Sequence, residues 1–243
     1  IKAYEEWGYE CQNKFNGMWA FALWDIQKQE LFLSRDRIGE KPLHYALYDN
    51  TLLFGSEIKS FFTYGLPKES DLEFLEIYSV FKSIPAPYTF FKNVKKLMPG
   101  HYMVVNSDGY KEHKYWDLPE IDENNLITDK KHVYEQFSSL FQDSVKIRMR
   151  SDVPFGAFLS GGLDSSSIVA LMSEISPFPV NTFTIGYKER DYDESDLASL
   201  VAEKFKTVHN LGYVEAASFE DTLSKIAFHY DEPFGDSSAI PTG

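Results

Sequence analysis

The sequence is poor in the features that mark several large protein classes. It has one cysteine, Cys11, in 243 residues, so no internal disulfide can form and a reducing compartment suits it. No apolar run comes near the roughly 18 residues that a membrane-spanning helix needs. No charged start leads into an apolar core and a cleavage site, so no signal peptide is read and a cytoplasmic setting is expected. Net charge is −13 and no basic block is long enough to form a stripe, which argues against nucleic acid as the main partner. The six histidines show no metal-ligand spacing. The first residue is not Met, and Gly243 falls where a domain should still be folding, so the chain is read as a fragment.

What is present is ample core material. Hydrophobic residues make up 43% and aromatics 16%, enough for one large domain or two ordinary ones. Over residues 1–15, Ile1, Tyr4, Trp7 and Cys11 are spaced for one helical face. Strand signals follow at 18–24, 30–34, 43–48 and 52–55, separated by Asp, Asn and Gly turns, and this meander implies an antiparallel sheet. A short helix is expected over 56–62. A better one spans 70–81, with Ser70 and Glu73 as a capping box and Phe74, Leu75, Tyr78 and Phe81 on one face. Pro85 stops it. Strands at 101–106 and 110–116 flank the turn Ser107-Asp108-Gly109.

Residues 117–128 are acidic and polar and form the candidate linker. A long amphipathic helix is expected from 129 to 149, with Val133, Phe137, Leu140, Phe141 and Val145 on one side. Strands at 153–159, 180–186 and 208–213 then alternate with helices at 165–175, 195–206 and 218–230. In the second of these helices Leu197, Leu200, Val201 and Phe205 share a face. Such alternation predicts a parallel sheet covered on both faces, and an α/β chain overall.

The most informative stretch is Ser160-Gly161-Gly162-Leu163-Asp164-Ser165-Ser166, between the first of these strands and its helix. Glycines permit close approach, serine hydroxyls and first-turn amides donate, and the helix dipole favours an anion. It lacks the lysine of the common P-loop. Asp164 would repel a naked phosphate, but it makes sense if a magnesium ion bridges it to phosphate oxygens. The plainer alternative is a Gly-Gly turn capped by Ser160 or Asp164. The whole string resembles the pyrophosphate loop of the ATP pyrophosphatases.

Taken together, the motifs resemble glutamine-hydrolysing asparagine synthetase of the B type. The first half carries Phe15-Asn16-Gly17-Met18-Trp19-Ala20-Phe21, Ser34-Arg35-Asp36-Arg37-Ile38-Gly39 and Phe54-Gly55-Ser56-Glu57-Ile58-Lys59. The second carries Ser151-Asp152-Val153-Pro154, Tyr192-Asp193-Glu194-Ser195, Asp231-Glu232-Pro233-Phe234 and Ser238-Ala239-Ile240-Pro241-Thr242. The resemblance implies the second half of an N-terminal nucleophile hydrolase (glutaminase) domain over 1–117. It implies a linker over 118–128 and the first half of an ATP pyrophosphatase domain over 129–243. It further implies glutamine and aspartate as substrates and ATP and Mg2+ as cofactors, and it allows a homodimer; nucleic acid and membrane are not expected partners on charge and apolar-run length.

By the same resemblance Ser160, Gly161, Gly162, Asp164, Ser165 and Ser166 hold the pyrophosphate, with Asp164 a magnesium ligand. Leu159, Ile185 and Gly186 lie at the nucleotide, and Met18 with Leu159 lines an ammonia tunnel. The glutaminase nucleophile would be an N-terminal cysteine, which Cys11 is not, so the fragment is expected to be inactive by itself. Rival readings are a β-lactam synthetase-like relative and a nucleotide-binding scaffold without activity. Arg35-Asp36 and Asp231-Glu232 also read as charge pairs or helix caps, Asp193 and Glu194 as caps, and Arg148 and Arg150 as solvated helix-end charges.

Overall fold

A computed structural model describes residues 1–187, 193–214 and 219–236. Tyr192 and the stretch 238–242 lie outside the described residues. The chain forms two compact units, one from Ile1–Glu120 with Glu220–Gly243 and one from Ile121–Phe219.

The first unit is layered around two antiparallel sheets where the meander predicts one. β1 (Ala20–Asp25), β2 (Glu30–Arg35), β6 (His101–Asn106) and β7 (Gly109–Lys114) form a sheet in the order β1-β2-β6-β7. β3 (His44–Tyr48), β4 (Thr51–Gly55) and β5 (Val94–Lys96) form the other, in the order β4-β3-β5. The β6–β7 hairpin pairs Asn106 with Gly109 around Ser107 and Asp108. Leu33 and Met103 of the first sheet share a core cluster with Leu43, Tyr45 and Leu97 from the second. Beyond the second sheet, Ala46, Leu53 and Val94 pack on Ile58 and Phe61, at the start of and within α2 (Lys59–Tyr64). Beyond the first, Phe32 meets Tyr4 and Tyr9 at centroid distances of 5.5 and 5.3 Å. The layering is thus helix, sheet, sheet, helix.

Two helical expectations change in detail. The first fifteen residues divide into α1 (Lys2–Trp7) and a 3-10 turn, Gly8–Lys14, and the tighter winding shifts the apolar phase. Cys11 is buried, while Ile1 and Trp7 are exposed. In the 70–81 stretch, Ser70 is drawn into a bridge with Phe91. Asp71 takes the cap in its place, accepting from Glu73 N at 3.3 Å. A 3-10 turn, Leu72–Phe74, then leads into α3 (Leu75–Phe81), and Leu75 and Phe81 stay exposed.

The second unit is built on a parallel sheet in the order β10-β9-β8, from β8 (Gly156–Phe158), β9 (Asn181–Tyr187) and β10 (Val208–Val214). α4 (Lys130–Arg148), α5 (Leu163–Ile175) and α6 (Ser195–Phe205) supply its core. Leu159, Val169, Ala198 and Ala202 make one cluster, and Val145, Met172 and Val180 another. The small residues of α6 face inward and let it approach closely, so Leu197 and Leu200 remain exposed. Phe158, Phe183 and Ile185, which alternate with the buried Leu159, Thr182 and Thr184, are also exposed. Among the described residues this sheet is therefore covered on one face only, a departure from the two-sided expectation. Val133, Phe137 and Leu140 of α4 are likewise exposed. α7 (Phe219–Tyr230) completes the helices, and all but its first residue falls in the first unit.

Candidate functional site

The loop from Ser160 to Ser166 joins the end of β8 to α5. Leu159 ends the apolar approach, with its side chain 2% exposed in the core. Its N–H donates to Phe183 O at 2.9 Å and its carbonyl accepts from Thr184 Oγ1, so both backbone groups belong to the sheet. Gly161 has φ +79°, a conformation that disfavours side chains, and a Cβ there would lie 2.6 Å from Leu197 Cβ. That glycine is required by the approach of α6, whatever the loop binds. Ser160 Oγ and Ser165 Oγ lie 3.0 Å apart, and Gly162 N donates to Ser160 Oγ at 3.3 Å.

α5 begins at Leu163 behind Gly162, and no side chain caps it. Its first-turn amides lack intrahelical acceptors, which leaves a partial positive charge at the loop. Asp164 stands exposed in that first turn. Ser166 Oγ is buried with no hydrogen-bond partner, an arrangement that costs on the order of 1–3 kcal/mol unless something fills it. Donors without acceptors, at an uncapped helix start beside an exposed carboxylate, fit a phosphate group accompanied by a divalent cation. Among the described residues no group of three or more His, Cys, Asp or Glu could hold a metal. A magnesium ion at Asp164 would therefore draw the rest of its shell from water and phosphate oxygens.

The other expected residues are placed as follows. Ile185 is exposed near the end of β9, on the open face. Gly186 is buried, and a Cβ on it would lie 2.8 Å from the Tyr213 ring and 3.0 Å from Asp193 Oδ1. Asp193 lies one residue before Glu194, the N-cap of α6, and accepts from Ser195 N at 3.2 Å and Ser195 Oγ at 2.8 Å. Arg148 bends back to Ser144 Oγ at 2.7 Å. Met18 stands exposed before β1. Cys11 is buried, and burial raises its pKa, which keeps the thiol protonated and a poor nucleophile.

The charged pairs of the first unit are structural. Arg35 donates to the carbonyls of Lys41, Leu97 and Gly39 at 2.9, 2.6 and 2.9 Å. Burial lowers its pKa, with Asp36 working the other way. Asp36 is 1% exposed and accepts from the amides of Trp19, Glu40 and Lys41 at 3.3, 2.9 and 2.9 Å. Asp231 and Glu232 are bound to Lys59, which ends the motif begun at Phe54, and to Lys96, which no local pattern marks.

Comparison with known proteins finds two family matches, and the second extends through residues that the structure places in the first unit. A glutamine amidotransferase domain model matches residues 1–116 and an asparagine synthase model matches residues 136–243. The chain thus combines part of an amidotransferase domain with part of a synthase domain. An asparagine synthetase (glutamine-hydrolyzing) from Methanocaldococcus jannaschii is 41% identical over 100% of this chain and 47% of the relative. Asparagine synthetase (glutamine-hydrolyzing) 1 from Bacillus subtilis is 32% identical over 99% of this chain and 38% of the relative. An amidase, chry2, from Gibberella zeae is 32% identical over 91% of this chain and 36% of the relative. The chain belongs to the glutamine-hydrolysing asparagine synthetase family. It spans about half the length, or less, of these curated relatives.

Proposed function

We propose that the whole protein is a glutamine-dependent asparagine synthetase, with the Ser160–Ser166 loop as its pyrophosphate cradle. On this reading the first unit is part of an N-terminal nucleophile glutaminase domain and the second is part of an ATP pyrophosphatase domain. An aspartate side-chain carboxylate attacks the α-phosphorus of ATP, pyrophosphate leaves, and β-aspartyl-AMP forms. Ammonia released from glutamine attacks the acyl carbon, AMP leaves, and asparagine results. Ser160, Gly161, Gly162, Asp164, Ser165 and Ser166 are assigned to the departing pyrophosphate, and Asp164 would hold a magnesium ion that neutralises pyrophosphate charge. Ile185 and Gly186 are assigned to the nucleotide side, and Met18 and Leu159 to the ammonia path. A cytosolic setting belongs to the same proposal.

The supporting observation is the buried, unpartnered Ser166 hydroxyl in the first turn of an uncapped helix, beside the exposed Asp164. In the full-length protein, Asp164→Ala is expected to abolish aspartate-dependent pyrophosphate release while glutamine hydrolysis survives. Persistence of pyrophosphate release would remove the metal role from Asp164.

A further inference from the structure

The segment after α7 is fastened into the first unit at three points. Asp231 Oδ2 accepts from the amides of Ile58 and Lys59 at 2.7 and 3.3 Å, and Oδ1 meets Lys59 Nζ at 3.1 Å. Glu232 Oε1 accepts from Phe90 N at 2.6 Å, and Oε2 meets Lys96 Nζ at 2.6 Å. Gly235 N donates to Lys82 O at 2.9 Å. The Asp231 and Glu232 side chains are 8% and 13% exposed. Lys96 Nζ also donates to Ile84 O at 2.7 Å. Burial opposes the Lys59 ammonium, but the Asp231 and Glu57 carboxylates outweigh it and raise its pKa.

The first of these contacts replaces something the sequence omits. α2 has Ile58 at its N-cap, and an isoleucine cannot accept from the free amides of the first turn. Asp231, 172 residues beyond Lys59, supplies that acceptor. It does so from φ +61°, a conformation aspartate tolerates better than most residues. Exposed ion pairs contribute little, whereas removing one partner of a buried, hydrogen-bonded pair strands the other charge and is strongly destabilising. These two pairs lie toward the buried limit.

The partners come from different family modules. Ile58, Lys59, Phe90 and Lys96 fall within the amidotransferase match, residues 1–116, while Asp231 and Glu232 fall within the synthase match, residues 136–243. We propose that Asp231 and Glu232 are positioning residues that hold synthase-family sequence in the amidotransferase unit, so that ammonia from glutamine is delivered to the acyl acceptor. This inference rests on the two-activity reading above. The carboxylates touch no substrate and act through the segment they hold.

The test uses the full-length protein with the double variant Asp231→Asn/Glu232→Gln. Hydrogen exchange at the amides of Ile58, Lys59 and Phe90 should accelerate by about tenfold or more. Glutamine hydrolysis alone and ammonia-dependent asparagine synthesis should each stay within about twofold of wild type. Asparagine made per glutamine consumed should fall by about fivefold or more, because misplacement by about an ångström is enough to uncouple a transfer. Exchanging one pair, Lys96→Glu with Glu232→Lys, should recover more of that ratio than Glu232→Lys alone. Unchanged exchange would overturn the attachment. Faster exchange with an unchanged ratio would overturn the coupling, and an equal fall in all three activities would reduce the carboxylates to fold stability. A wild-type protein that hydrolyses glutamine but makes no asparagine would overturn the functional reading, and the exchange result would still decide the attachment.

Discussion

Asp36 and Asp164 are the same residue in opposite settings, one in each unit. Asp36 is buried and accepts three backbone amides, so its charge is consumed by the fold. Asp164 is exposed at the start of a helix that no side chain caps, so its charge is available to something outside the protein. Both follow motif-like sequence, Ser34-Arg35-Asp36 and Gly161-Gly162-Leu163-Asp164. What separates a structural carboxylate from a chemical one is whether backbone donors have already satisfied it.

The largest effect that could sharpen this contrast is on activity. Asp164→Ala in the full-length protein should lower aspartate-dependent pyrophosphate release by about a hundredfold or more, the scale of losing one preorganised charge contact. Its denaturation midpoint should barely change, because exposed substitutions usually fall within about 0.5 kcal/mol. Asp36→Ala should do the reverse. It strands the amides of Trp19, Glu40 and Lys41 and leaves Arg35 without a neighbouring countercharge, at a cost of roughly 3–5 kcal/mol read by denaturant unfolding. If Asp36→Ala were as stable as wild type, the contrast would fail.

The next effect is on pH dependence. His44 is buried, with Nδ1 3.1 Å from Ser56 O. Burial first, then Lys96 and Arg35, lower its pKa to about 4, against smaller opposing contributions from Ser56 and Asp231. The unfolded imidazole titrates near 6.5, so between 6.5 and 4 the unfolded chain binds more protons. Stability is fully present above 6.5 and falls as the pH drops towards 4, by on the order of 2–3 kcal/mol. Unfolding midpoints measured across that range should slope more steeply for wild type than for His44→Gln; equal slopes would remove His44 as the cause.

The smallest effect is the most discriminating. Ser166→Ala removes a buried hydroxyl that has no partner, so stability should hold or rise by up to about 1 kcal/mol. The KM for ATP should rise at the same time if that hydroxyl meets phosphate. A loss of stability with unchanged KM would mean that the protein itself satisfies the hydroxyl.

Local chemistry was the most legible part. Apart from β5 (Val94–Lys96), a three-residue strand with no sequence signal of its own, the strands of both units fall within a few residues of their apolar and turn signals, because alternation and Asp, Asn or Gly punctuation act over short distances. The phosphate-loop candidate was legible for the same reason: serines, glycines and helix start are contiguous. Helix faces were less so. The 3-10 turn at Gly8 moved the phase of the first helical stretch, and the bridge from Ser70 to Phe91 gave the cap to Asp71. On α6, small residues took the core face because close approach to the sheet favoured them over Leu197 and Leu200.

Most of the element order, the family resemblance and the loop where phosphate chemistry is expected could be read from neighbours in the chain, since each rests on contiguous residues. Which charges are spent on the fold follows from packing between segments distant in the chain. The roles of Arg35, Asp36, Asp231 and Glu232 depend on the carbonyls that Arg35 meets and on the amides and lysines that the three carboxylates meet, in one case from 172 residues away. A carboxylate's work depends on its local donors and its exposure to water, and those are set by packing rather than by chain neighbours.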